Sequence, residues 1–118
     1  MNVDDLITKY KLVKSDKYIE DEDTYYVFNN HDYSITTGFV LRTFKNDFIL
    51  ATDVYFLEKQ PTHHPNVSIA YGPWDIGNKI KNIEYHLKSL KRKYNRYLIK
   101  YKEKILNDKL MEISKDFQ

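Results

Sequence analysis

Hydrophobic spacing changes character along this chain, and the changes mark its elements. Val3, Leu6, Ile7 and Tyr10 fall at i, i+3, i+4 and i+7, the period of an amphipathic helix. Asn2 caps it, and Asp4 and Asp5 suit the positive end of its dipole, so a short helix is expected over residues 3–10. Thr24–Phe28 is a β-branched and aromatic run, hence a strand, and Asn29–Asp32 a turn. Ile35–Phe44 and Phe48–Leu57 read as two long strands joined by Lys45-Asn46-Asp47, an antiparallel hairpin. Period two puts Phe48, Leu50, Val54 and Phe56 on one face of the second strand, and Ile49, Ala51, Asp53, Tyr55 and Leu57 on the other. Residues 58–66 form a loop fenced by Pro61 and Pro65, Val67–Tyr71 is a fourth strand, and Gly72-Pro73 ends it.

From Trp74 the period is helical. Ile76, Ile80, Ile83, Leu87, Leu90, Tyr94, Tyr97 and Tyr101 alternate spacings of four and three, a heptad seam. The stripe then widens from Leu98 through Ile105 and Leu106 to Leu110 and Ile113, with no Pro or Gly after residue 77. The expected fold is therefore α+β: a short N-terminal helix, a four-stranded, mainly antiparallel sheet in sequential hairpins, and a long C-terminal helix. One domain over 1–118 divides into 1–73, helix plus sheet, and 74–116, a long basic helix with Pro73 in its first turn or Asp75 as its cap. Unbroken from 74 to 114, that helix would be about 60 Å long, more than one small sheet covers. Its first half should dock on the chain's own sheet and its second half serve an intermolecular contact. A homodimer is one outlet. In a parallel pair with Ile80 at position a, however, His86 faces Lys91 and Lys93 faces Leu98, so the flanks offer no attraction.

Charge sharpens the division. Residues 1–78 carry 7 Lys/Arg against 12 Asp/Glu, and residues 79–118 carry 12 against 5. Such asymmetry points to a nucleic-acid surface, an acidic protein partner, or a match between the two halves. Lys, Asn, Tyr and Ile supply 47 of the 118 residues while Ala supplies 2, a bias towards AT-rich codons such as those of a low-GC bacterium or its phages and mobile elements. Cysteine is absent, which excludes disulfides and thiolate chemistry and leans towards a reducing compartment. The first residues lack the basic and apolar regions of a signal peptide, and no apolar run is long enough to span a bilayer. A cytoplasmic protein without membrane contact is expected.

Catalytic constellations are incomplete. His31, His63, His64 and His86 sit in separate segments, and the adjacent pair points apart on an extended loop, so no metal site is expected. The acidic run Glu20–Asp23 lacks the alternation and glycine of a calcium loop and reads as a solvated loop. Three glycines cannot build a phosphate cradle, no nucleophile motif is present, and Asp53 lacks the further acid and lysine of a metal-dependent nuclease. No catalytic residue and no cofactor are expected.

The remaining signal is a helix with apolar groups in excess. Aromatics dominate interface energies, so Tyr94, Tyr97, Leu98 and Tyr101 are the expected contacts to a host protein, with the chain acting as a small inhibitor or adaptor of phage or mobile-element type. The alternative is a nucleic-acid-binding protein in which Lys88, Lys91, Arg92 and Arg96 meet phosphates.

Overall fold

The computed structural model describes residues 3–15, 23–45, 47–58 and 67–116, with side chains described as far as residue 107. Most of the acidic run, Glu20 to Glu22, and the loop holding Pro61, His63, His64 and Pro65 lie outside the described residues. Among the described residues the architecture is α+β, with two α-helices and two sheets.

Helix α1, Val3–Lys9, leads into β1, Leu12–Lys14, and β2, Thr24–Phe28. The predicted strand over 35–44 is two strands, β3 (Thr36–Thr37) and β4 (Leu41–Thr43). The predicted strand over 48–57 is likewise two, β5 (Phe48–Ala51) and β6 (Val54–Glu58). After β7, Val67–Tyr71, the chain forms a further strand β8, Trp74–Ile76, where helix was expected. The single four-stranded sheet is thus replaced by a five-stranded one, β1-β2-β4-β5-β8, and a three-stranded one, β3-β7-β6. All pairings are antiparallel except β3 with β7.

The extra breaks have a common cause: three runs of chain leave one sheet for the other. Gly38 turns the first with φ of 94°, and a Cβ there would come within 3.2–3.3 Å of Trp74 and Tyr71. At the second, the Thr52 amide and hydroxyl both donate to the Pro73 carbonyl at 2.7 Å. The third is Gly72 with the cis Gly72–Pro73 bond, and the Gly72 amide donates to the Asp53 carbonyl at 3.0 Å. The second and third corners thereby satisfy backbone groups that a broken ladder would orphan.

The core lies between the sheets and helices. Leu6, Phe28, Val40, Leu41, Leu50, Ala51, Val54 and Ile69 are fully buried there, with Phe48 and Phe56 packed against them. The period-two face of Phe48, Leu50, Val54 and Phe56 therefore points inward, and Tyr55 and Leu57 are exposed. Ala51 joins the core because the chain turns directly after it. A smaller aromatic group gathers beside the five-stranded sheet. Tyr25 meets Phe39 edge-on, Phe39 stacks on Trp74, and the Trp74 indole donates to the Phe39 carbonyl at 2.8 Å. Arg42 binds Asp23, the described end of the acidic run, and lies over the rings of Tyr25 and Phe44.

The long helix begins later than predicted. A 3-10 turn, Gly77–Lys79, follows β8, and α2 runs Ile83–Asp116. Trp74 and Ile76 are committed to pairing with Ala51 and Ile49, so neither Pro73 nor Asp75 starts the helix. The cap is Asn82, in the left-handed region at φ 51°, whose Oδ1 accepts the Tyr85 amide at 3.2 Å. Ile76 and Ile80 match the heptad spacing from outside the helix.

Candidate docking helix

Helix α2 spends one face on its own protein. Leu87, Leu90 and Tyr94 are buried, and Ile83, Tyr97, Leu98 and Tyr101 pack against the core at its rim. The predicted seam thus forms, with the chain's own β6 and β7 as its partner. Two flanks are tied down as well. Lys9 pairs with Glu84, the Tyr10 hydroxyl donates to the Glu84 carbonyl at 3.0 Å, and α1 is thereby fixed to the start of α2. On the other flank Lys93 donates to Asp53 at 2.7 Å. His86 Nε2 lies 2.8 Å from the Ala51 carbonyl, which can only accept, so that nitrogen carries the proton.

Of the four residues expected to meet a host protein, Tyr94 is fully buried in the core. Its hydroxyl accepts the Asp32 amide at 3.0 Å and shares a hydrogen bond with Thr36 Oγ1 at 2.9 Å. Its ring sits near those of Phe28, Tyr71 and His31, with His31 stacked at 17°. Burial raises its pKa, against the opposing hydrogen bonds from Thr36 and Asp32. Tyr94 is a structural residue and drops out of any partner-facing set. Tyr97, Leu98 and Tyr101 remain half-buried at the rim, Tyr97 with its ring 5.6 Å from that of Phe56.

The four basic candidates also divide. Lys88, Arg92 and Arg96 are exposed and share one face opposite the seam, whereas Lys91 is half-buried with its ammonium 5.9 Å from the Phe28 ring. Lys100 likewise lies over Phe56, at 4.4 Å. Tyr85, Ile99 and Leu106 are exposed on the same outer side, at 66%, 59% and 57%. Spacing alone hides this sorting, because Lys91 and Arg92 are neighbours in sequence and about a third of a turn apart on the helix.

Asp53 stands half-buried at the corner between β5 and β6. Burial works against its carboxylate, but hydrogen bonds from Lys93 and the Val54 amide, with the charges of Lys93 and His86, outweigh that and hold its pKa below 3.8. Sequence reasoning missed its partner, which stands 40 positions away. Among the described residues no three His, Asp or Glu side chains converge as metal ligands, and no helix is long and apolar enough to cross a membrane. Comparison with protein-family models, curated proteins and solved structures gives no match to this chain.

Proposed function

We propose that this protein is a non-enzymatic binding module, a cytoplasmic inhibitor or adaptor of phage or mobile-element type that occupies a surface of a host protein through the distal part of α2. One observation carries the reading. Tyr101 is the last described side chain of α2 packed on the core, yet the helix continues to Asp116. Those 15 residues span about 22 Å. The protein's longest dimension is 62 Å against 30 and 21 Å across. Isolated helical ends fray in water, and apolar positions such as Ile99 and Leu106 gain from cover. With Tyr94 withdrawn, the contact set is Tyr97, Leu98 and Tyr101 at the rim, joined by Ile99 and Leu106.

The test is affinity capture from the native host after nuclease digestion, using the natural chain and the double variant Ile99→Ser, Leu106→Ser. Both changes sit on exposed positions, so the fold should persist. A protein retained by the natural chain and lost by the variant supports the reading. Equal retention by both removes it. Sedimentation of the purified chain separates the remaining outlet: a dimer that the variant dissolves would assign the same surface to a second copy.

A further inference from the structure

We infer that the outer face of α2 binds the phosphate backbone of double-stranded DNA, through Lys88, Arg92 and Arg96. The face adjoins Ile99 and Leu106 of the host-protein reading on the outer side of the helix, and the two readings are told apart because one rests on cations and the other on apolar groups.

The arrangement begins with what these side chains do not do. Lys9 and Lys93 are paired with Glu84 and Asp53, and Lys91 and Lys100 rest over phenylalanine rings. Among the described residues, Lys88, Arg92 and Arg96 have no ion pair and no hydrogen bond, and all three are exposed. They stand four residues apart on one face, about 6 Å per step. Like charges at that spacing destabilise a helix slightly, so the row adds nothing to the fold. No acid falls between Glu84 and Glu103, a stretch long enough for five helical turns. The chain has three arginines. Arg42 is committed to Asp23, and the other two are adjacent members of this row. Arginine's planar fork suits phosphate and carboxylate alike; a basic row within five acid-free helical turns suits the regular line of phosphates on a duplex, and polyglutamate is the competitor that stands for an acidic protein surface.

Duplex DNA is favoured over single strands by the position of the aromatics. Single-strand binders stack bases on exposed rings. Here Tyr94 is buried and Tyr97 and Tyr101 pack on the core, leaving Tyr85 as the aromatic residue of the outer face. A helix is 10–12 Å across and the B-form major groove about 12 Å wide, so a helix backed by a sheet on one side can present the other to the groove. The major groove of A-form RNA is too narrow for this.

Fluorescence anisotropy with a labelled 20-base-pair DNA duplex tests the inference. Three neutralised phosphates predict a log–log salt slope of about −2.7, so binding should weaken about 40-fold from 50 to 200 mM salt. The triple variant Lys88→Glu, Arg92→Glu, Arg96→Glu should lose binding by about tenfold or more. A control with the same change in net charge, Lys11→Glu, Lys14→Glu, Lys45→Glu, should keep most of it. The neutral variant Arg92→Gln, Arg96→Gln, which is less demanding of the fold, should show an intermediate loss, with thermal melting measured for every variant. Ile99→Ser, Leu106→Ser keeps all three cations and should therefore keep the salt slope of the natural chain, so failure of the host-protein reading is seen separately. The inference is overturned by absence of binding at 50 mM salt, or by equal loss in both triple variants. Tighter binding of the single strand, or competition by polyglutamate as effective as that of unlabelled duplex, also overturns it.

Discussion

The two sides of α2 are built from the same short list of residues and do opposite things. On the inner side Tyr94 is fully buried, with two hydrogen-bond partners on its hydroxyl. On the outer side Tyr85 is 66% exposed. The lysines divide in the same way, Lys93 held by Asp53 and Lys88 extended into solvent. What a residue contributes on this helix is set by its angle round the axis, so stability and recognition are separable by mutation. Substitutions should therefore fall into two sets: inner ones that change folding and outer ones that change binding.

The largest inner effect is predicted for Leu87→Ala. Leu87 is fully buried, and large-to-small changes at such sites cost about 2–5 kcal/mol. Urea unfolding should show a lower midpoint at unchanged slope. Stability within about 1 kcal/mol of the natural chain would mean that α2 is not docked as described. A sharper version compares two tyrosines with ring centroids 5.4 Å apart. The Tyr71 hydroxyl is buried without a hydrogen-bond partner among the described residues, and burial raises its pKa strongly. Removing an unsatisfied hydroxyl relieves a desolvation cost, so Tyr71→Phe should stabilise by up to about 1 kcal/mol. Tyr94→Phe orphans Thr36 Oγ1 and the Asp32 amide and should destabilise by about 1–2 kcal/mol. Equal signs for the two would show that the hydroxyls are not distinguished in this way.

The inner face was the more legible in the sequence, and the reason is periodicity. Leu87, Leu90, Tyr94, Tyr97 and Tyr101 announce a buried stripe whatever covers it. β2 and β7 were equally plain, being short apolar runs with clear ends. The sheet corners were not, because period-two patterning continues through a bend: Ala51 and Val54 stay apolar on both sides of Thr52-Asp53, and only the pairing of each half with a different sheet reveals the turn. Local signals did exist. Gly38 inside an apolar run marks a bend, and Trp74-Asp75-Ile76 alternates like a strand. The heptad spacing of Ile76 and Ile80 outweighed that alternation. The Asp53–Lys93 and Tyr94–Thr36 contacts link positions 40 and 58 apart, which no spacing argument reaches.

Between the two faces lies the Asp53–Lys93 pair, and its predicted effect is smaller. Both side chains are 38% exposed, and pairs of that kind contribute about 0.2–1 kcal/mol. Asp53 has a lowered pKa in the fold, so its contribution is present above the ordinary carboxyl value of 3.8 and is lost as the pH falls through the native value. The hydrogen bond to Asp53 raises the Lys93 pKa, so that contribution is complete below 10.5 and is lost as the pH rises through the native value. Asp53→Asn should therefore be less stable than the natural chain near neutrality and equal to it in strong acid. A stability difference independent of pH would show that neither bond to the ionised carboxylate, from Lys93 or from the Val54 amide, carries the effect.

The smallest effect on folding belongs to the outer face, and its sign is the informative part. Arg92 stands four residues from both Lys88 and Arg96, so in the natural chain it is repelled from two sides. Arg92→Glu turns both repulsions into attractions. An acid four residues before a base is the favourable order along a helix, and the new carboxylate stands so towards Arg96; towards Lys88 the order is reversed and the attraction weaker. Exposed pairs of this kind each contribute only about 0.2–0.5 kcal/mol. Thermal melting should thus show a fold as stable as the natural one or a few tenths of a kcal/mol more so, while DNA binding falls. A protein that becomes slightly more stable on losing a basic side chain was holding that charge against its own folding, and loss of DNA binding in the same variant is what assigns the charge to a binding face. Loss of stability on Arg92→Glu would place that arginine in a contact of the fold, and the division of α2 into a structural side and a binding side would fail at its centre.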